Sequence, residues 1–181
     1  IQGTCFANVN WTQPQFTDNC GISSVNGSHN SGAAFNVGTT TVTFVATDDN
    51  GNTAECSFDV TVNDNQAPQI SGCPQDISTA NDAGDCSAMV SWSIPTVSDN
   101  CGVSTISANH NSNETFSVGV TTVTYTATDV NGNTAQCSFN ITVTDNENPV
   151  ITNCPSNITS PTDQNVCEAS INWTVPSASD N

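Results

Sequence analysis

Residues 42–62 read VTFVATDDNGNTAECSFDVTV and residues 123–143 read VTYTATDVNGNTAQCSFNITV. The second stretch repeats the first at a distance of 81 residues, and that repetition limits what the chain can fold into. In the later copy, Val123, Tyr125 and Ala127 alternate with Thr124, Thr126 and Thr128. Cys137, Phe139, Ile141 and Val143 then alternate with Ser138, Asn140 and Thr142. Apolar and polar residues in period two make a strand with one buried face. Asn131-Gly132 lies between the two runs, and both residues tolerate positive φ, so the stretch predicts a β-hairpin. The same offset links Cys20 to Cys101, Cys73 to Cys154, and Cys5 to Cys86 to Cys167. It also links Trp11 to Trp92 to Trp173, and Pro14 to Pro95 to Pro176. No insertion breaks the register. A repeat of this length exceeds a solenoid unit and matches a small domain with its own core.

The register divides the chain into three parts. Residues 1–63 form a unit that lacks its first strand, 64–144 a complete unit, and 145–181 the opening of a third. Within a unit, Ala88, Val90 and Trp92 read as a strand with an aromatic anchor, ended by Pro95. Ser98-Asp99-Asn100-Cys101-Gly102 is a polar turn. Val103–Ile106 is a short strand, and the extended pieces 76–78 and 157–159 flank the joints. The polar linkers, 63–68 and 144–149, each end in a proline that stiffens the connection. Many short alternating runs with no helical period predict an all-β fold of antiparallel β-sandwiches.

A single core of this size is marginal and needs cross-links. Nine cysteines without zinc-ligand spacing supply them, which places the chain in an oxidising, extracellular or cell-surface compartment. Four cysteines per unit allow three pairings. Cys73 with Cys86 and Cys101 with Cys137 is the expected one: it also closes Cys20 with Cys56 and Cys154 with Cys167. Only Cys5 is then left for an upstream partner. Such bridges contribute about 3–4 kcal/mol each by loop entropy.

Charge excludes more than it assigns. There are 17 acidic residues, two histidines, and no lysine or arginine. Nothing can neutralise phosphates, so nucleic-acid binding is excluded, and anionic lipid surfaces are disfavoured. No apolar run in this sequence is long enough to span a membrane. Trypsin has no site, and lysine–asparagine isopeptide cross-links cannot form. Burial, sheet hydrogen bonds and disulfides must supply the stability.

The order Pro-x-Ile-x-x-Cys-Pro, Val-x-Trp-x-x-Pro, Ser-Asp-Asn-Cys-Gly, then Val-Gly-x-Thr-x-Val-x-Tyr-x-Ala-Thr-Asp-x-Asn-Gly-Asn-x-Ala-x-Cys-x-Phe-x-Ile-x-Val resembles the hyalin repeat, or HYR domain. The resemblance covers essentially the whole chain. It implies immunoglobulin-like sandwiches, a role in extracellular adhesion or scaffolding, and no catalysis. The expected function is a structural repeat array: a stalk, an adhesin shaft or a filament. The alternative is a spacer or carbohydrate-binding module of a larger secreted enzyme. Expected partners are neighbouring repeats of the same or identical chains, and surface glycans or other cells. A variant of this reading has neighbouring chains completing one another by strand addition.

Val62-Asn63-Asp64-Asn65 before Pro68 also resembles the calcium linker of cadherins, although the acidic motifs that complete such a site are missing. Calcium takes several oxygen ligands. The candidates are Asp64 and Asn65 facing Asp48, Asn50, Asn52 or Asp99, with Asp129, Asn131, Asn133, Asp145 and Asn146 in equivalent places. The competing reading is that Asp-Asn and Asn-Gly are simply turn formers. Asn10, Asn26, Asn113, Asn140, Asn157 and Asn172 head glycosylation sequons, which an Asn- and Thr-rich chain also produces by chance. His29 and His110 are one repeat position and read as loop residues. No nucleophile–base pair or acid pair has catalytic spacing, so no catalytic residue is assigned.

Overall fold

The computed structural model describes residues 3–180. Every element among them is a strand. In order these are β1 (Phe6–Asn8), β2 (Ile22–Gly27), β3 (Ala34–Asn36), β4 (Gly38–Asp48) and β5 (Thr53–Val62). Then come β6 (Gln69–Ser71), β7 (Ile77–Ala80), β8 (Ser87–Val90), β9 (Thr96–Ser98) and β10 (Val103–Ala108). The series closes with β11 (Glu114–Ser117), β12 (Gly119–Asp129), β13 (Thr134–Thr144), β14 (Val150–Thr152) and β15 (Ser177–Ser179). The all-β class expected from the sequence is observed, with an 81-residue recurrence: β10–β13 repeat β2–β5.

The chain resolves into two compact units. The first comprises Ile1–Cys73, Ile94–Asn109 and Thr124–Ser138. It contains the first sandwich, in which β1 pairs with β3, and β2, β4 and β5 form a three-stranded antiparallel sheet. The predicted hairpin is β4–β5, in register from Gly38↔Val62 to Thr47↔Thr53. Phe35 from one sheet meets Val42, Phe44, Val60 and Val62 from the other to form the core. Trp11 packs edge-on to Phe35 and Phe58, with ring centroids 5.9 and 5.4 Å apart. The same unit holds the β6–β9 pair and the β10–β12 pairing from Val103↔Asp129 to Ala108↔Tyr125.

The second unit comprises Pro74–Ser93, His110–Val123 and Phe139–Asn181. Here β8 pairs with β11, and β7 with β13. Ala88, Val90, Phe116, Val123, Phe139, Ile141 and Val143 are buried. Trp92 lies tilted against Phe116 and edge-on to Phe139, the rings equivalent to the two that Trp11 meets edge-on. β14 pairs with β15 in the register that β6 and β9 use 81 residues earlier. Residues 157–159, expected to be extended, form no strand. Their equivalent, β7, relies on β13, and no such hairpin follows 159 within these residues. Trp173 is accordingly 61% exposed.

One pairing adds a parallel contact to these antiparallel sheets: β7 runs parallel to β13, with Ile77 opposite Ile141. Gly72, at φ +74°, and Pro74 break the strand after β6, so the chain resumes against a different partner. One expectation is corrected, the disulfide pairing. Cys73 bonds Cys137, not Cys86, and Cys101 bonds Cys5, not Cys137. The reason is register. β7 and β13 pair residues 64 apart, and Cys73 and Cys137 share that separation, with Cα atoms 6.2 Å apart. Nearness in sequence misled: Cys86 is held at the entrance to β8, its carbonyl accepting the Val118 N–H at 3.0 Å. Cys20, Cys56, Cys154 and Cys167, expected in pairs, are free and exposed.

Ile141 is fully buried in the hairpin. Ile141→Ala removes buried methyl groups and leaves a cavity, so it costs about 2–5 kcal/mol. Thermal unfolding monitored by circular dichroism checks this against Val120→Ala, an exposed site on the neighbouring strand that stays near wild type.

Candidate functional site

A polar cluster lies in the first unit, where the linker after β5 meets the turn after β9. Asp64 accepts the Gln66 N–H through Oδ1 at 3.1 Å, an Asx turn that shapes the linker. Its carbonyl accepts Asn133 Nδ2 at 3.1 Å. Asp99 closes the opposite turn: its Oδ1 accepts the N–H groups of Cys101 at 2.8 Å and Gly102 at 3.1 Å. Asn100 Nδ2 donates to the Thr4 carbonyl at 3.1 Å, and the Cys5–Cys101 disulfide lies beside that bond. Two side chains and one disulfide thus tie residues 4 and 5 and the linker to the repeat that follows. An open cleft of about 410 Å³, bordered by Phe6, Asn65 and Asn100, adjoins them.

Asn133 belongs to the turn of the second hairpin, organised by Asp129. Asp129 is 2% exposed. Its Oδ1 accepts the N–H groups of Asn131 and Asn133, each at 2.8 Å, and its Oδ2 accepts Asn133 Nδ2 at 2.7 Å. Burial pushes this carboxyl up. The Asn133 side chain and the N–H groups of Asn133, Asn131 and Gly132 outweigh it, and the acid lies below its ordinary value. Asp48 makes the same turn in the first hairpin. The Asn52 side chain leads the contacts that hold Asp48 low.

The expected cation ligands are therefore partly assembled. Asp64 and Asp99 come together, with an oxygen of each and Cys101 Sγ mutually within 4.8 Å. Cys101 is spent in its disulfide and offers no thiolate. Asp64 Oδ2, Asp99 Oδ2 and Asn100 Oδ1 are buried and accept no hydrogen bond. These neutral and anionic oxygens fit a hard, oxygen-seeking cation. Asn100 was not a candidate on sequence, since an asparagine beside two turn residues gives no separate signal. Asp48, Asn50 and Asn52 do not face Asp64. β5 separates that turn from the linker by about 30 Å at ~3.4 Å per residue, so the linker meets the turn of the following hairpin instead. Asn131 serves the Asp129 turn through its backbone, and Asn65 borders the cleft. In the second unit Asp145 accepts the Glu147 N–H, and the Asn146 N–H donates to Asn81 Oδ1.

Of the sequon asparagines, Asn10, Asn26, Asn113, Asn157 and Asn172 are exposed. Asn140 is half-buried on β13, its Oδ1 accepting Thr122 Oγ1 at 2.9 Å. The histidines are more than loop residues: His29 and His110 lie against Phe35 and Phe116 at centroid distances of 5.0 and 5.3 Å.

The HYR domain profile matches residues 2–62 and again 63–143. The chain belongs to the HYR family. It is 35% identical over 186 residues to hyalin of Strongylocentrotus purpuratus, covering 98% of this chain and 15% of that one. Against hyalin of Lytechinus variegatus it is 33% identical over 182 residues, covering 98% and 34%. Against the sushi, von Willebrand factor type A, EGF and pentraxin domain-containing protein 1 of Rattus norvegicus it is 34% identical over 143 residues, covering 76% and 4%. This HYR chain thus spans a minor part of the relatives it matches.

The Asp129 and Asp48 turns set an acid limit. Both carboxyls titrate below the unfolded aspartate value of about 3.9. Their stabilisation is complete above that value and is lost as pH falls through the lower folded values. Asp129→Asn lowers the melting temperature at pH 7 by several degrees and flattens its fall between pH 5 and pH 2, measured by calorimetry.

Proposed function

We propose that this chain is a non-catalytic segment of an extracellular adhesion-type array, its repeats running 1–63, 64–144 and onward from 145. Its task is to hold successive sandwiches at a fixed joint, as a stalk, shaft or filament must. The observation that carries this reading is the Cys5–Cys101 disulfide. It links consecutive repeats across the linker, where an ordinary spacer leaves the linker as the sole connection. HYR repeats recur in the hyalins and in a multidomain sushi protein, which supports the extracellular assignment. Neighbouring repeats are the first partners, and glycans or other cells the distal ones. A sugar platform is less well supported, because Trp11 and Trp92 are spent on core rings.

The test is the distribution of inter-repeat distances, read by single-molecule fluorescence between dyes on the two sandwiches. The oxidised chain gives one narrow distribution, and Cys5→Ser broadens it. Equal widths overturn the fixed-joint reading.

A second reading rests on Asp64 Oδ2, Asp99 Oδ2 and Asn100 Oδ1, buried without donors. Calcium held there would neutralise two carboxylates and tighten the same joint. At 1 mM calcium the melting temperature rises relative to chelator, and Asp64→Asn with Asp99→Asn abolishes the rise. No calcium dependence in the wild type removes the cation from the joint.

A further inference from the structure

Four exposed free cysteines each occupy the repeat position of a bonded one. Cys20 stands where Cys101 does, Cys56 where Cys137 does, Cys154 where Cys73 does, and Cys167 where Cys5 does. Cys86 shares the position of Cys5 and is also exposed. The chemistry at each position is therefore already shown once in this chain. The two disulfides span 96 and 64 residues. Carried along the 81-residue register, they give every one of these cysteines a defined partner. For Cys86 it is position 182, which is 81 beyond Cys101. For Cys154 it is position 218, which is 81 beyond Cys137. The partners of Cys20 and Cys56 fall before residue 1, and that of Cys167 at position 263.

We propose that these cysteines are docking points for further HYR repeats in register, and that the array so formed carries two continuous covalent tracks. The first passes from Cys5 to Cys101, back along fifteen residues to Cys86, and on to position 182. The second passes from Cys73 to Cys137, forward along seventeen residues to Cys154, and on to position 218. Each repeat therefore adds only fifteen or seventeen residues to the taut chain instead of 81. At ~3.5 Å per residue that is about 50–60 Å per repeat, against about 280 Å for the open chain. The tracks limit extension even if every sandwich unfolds, and either one suffices. The inference rests on the two disulfides and the repeat, and does not depend on what the array adheres to. Each bond forms when two thiols transfer two electrons, with loss of two protons, to a small-molecule disulfide oxidant of the glutathione class. Thiolate exchange carries the transfer, and one oxidant disulfide is reduced to two thiols.

The test extends this chain at its carboxy-terminal end with a copy of its own residues 101–181, which continues the register. The extended chain is oxidised with glutathione disulfide and digested with an acid-directed protease, since trypsin has no site. Mass mapping then shows Cys86 joined to position 182 and Cys154 joined to position 218. In the unextended chain Cys154 reacts with iodoacetamide, and after extension it does not. Pulled from its ends in an optical trap, the oxidised extended chain falls short of its reduced contour by 162 residues, about 560 Å at ~3.5 Å per residue. Cys86→Ser alone leaves that shortfall almost unchanged, because the second track remains. Cys86→Ser with Cys154→Ser removes about two fifths of it, because the native Cys5–Cys101 bridge, spanning 96 residues, persists. Pairing of Cys154 with Cys167, pairing of Cys86 with Cys73, or disulfide-linked dimers of the extended chain each overturn the proposal. Full extension of the oxidised chain overturns it independently of the peptide map.

Discussion

A chain with 17 carboxylates and no lysine or arginine can bury an acid only against neutral donors. Asp129 shows how this is done. Two backbone N–H groups and one asparagine amide surround its carboxylate, and the hairpin turn is built to aim them. Hydrogen bonds to a charged acceptor are stronger than neutral ones, and this turn uses three. The turn fixes Asn133, and Asn133 Nδ2 then reaches the Asp64 carbonyl of the linker. One carboxylate therefore organises a turn and, through its asparagine, the approach of the preceding linker. His110 Nδ1 and Glu114 Oε2 lie 3.2 Å apart with both side chains partly exposed, a contact that is an ion pair only when the histidine is protonated and is then of small consequence.

Elsewhere the sandwiches use the same economy of charge. The outward faces of the hairpins carry hydroxyl and amide pairs, such as Thr39 with Thr61, Thr122 with Asn140, and Gln136 with Thr126. The inward faces carry aromatic contacts centred on one tryptophan per sandwich. Ser31 and Ser112 each bracket that tryptophan's backbone, donating to its carbonyl and accepting its N–H. The aromatic anchor is thus set in place by a serine twenty residues away, on the loop that also carries the histidine.

What could be read from the sequence was whatever depended on neighbours along the chain. Alternation located β4, β5, β12 and β13, and the Asp-x-Asn-Gly-Asn turn located their reversal. The short strands β6 and β14 carry too few residues for a period to register. The parallel partner of β7 depends on a break at Gly72 and Pro74, which looks like any loop in sequence. The disulfides failed for a related reason. Parity treated the ends of the chain as meaningful and favoured short loops, whereas the register of β7 on β13 and the folding of residue 5 against the Cys101 turn decided them. At the joint, Asp64 and Asp99 were legible as turn-forming acids. Asn100 and the Thr4 carbonyl were not, because their meeting is a tertiary event across 96 residues.

The long reach of the Cys5–Cys101 bond has a consequence for biosynthesis. Chains emerge at about 5–20 residues per second, so Cys101 appears about 5–20 s after Cys5. During that interval Cys20 and Cys56 are the nearest thiols, and both lead to wrong cross-links. Oxidation that outruns folding traps the chain, while folding that precedes oxidation presents the correct pair. The repeat that holds Cys5 must therefore wait for its successor before this bond can seal it.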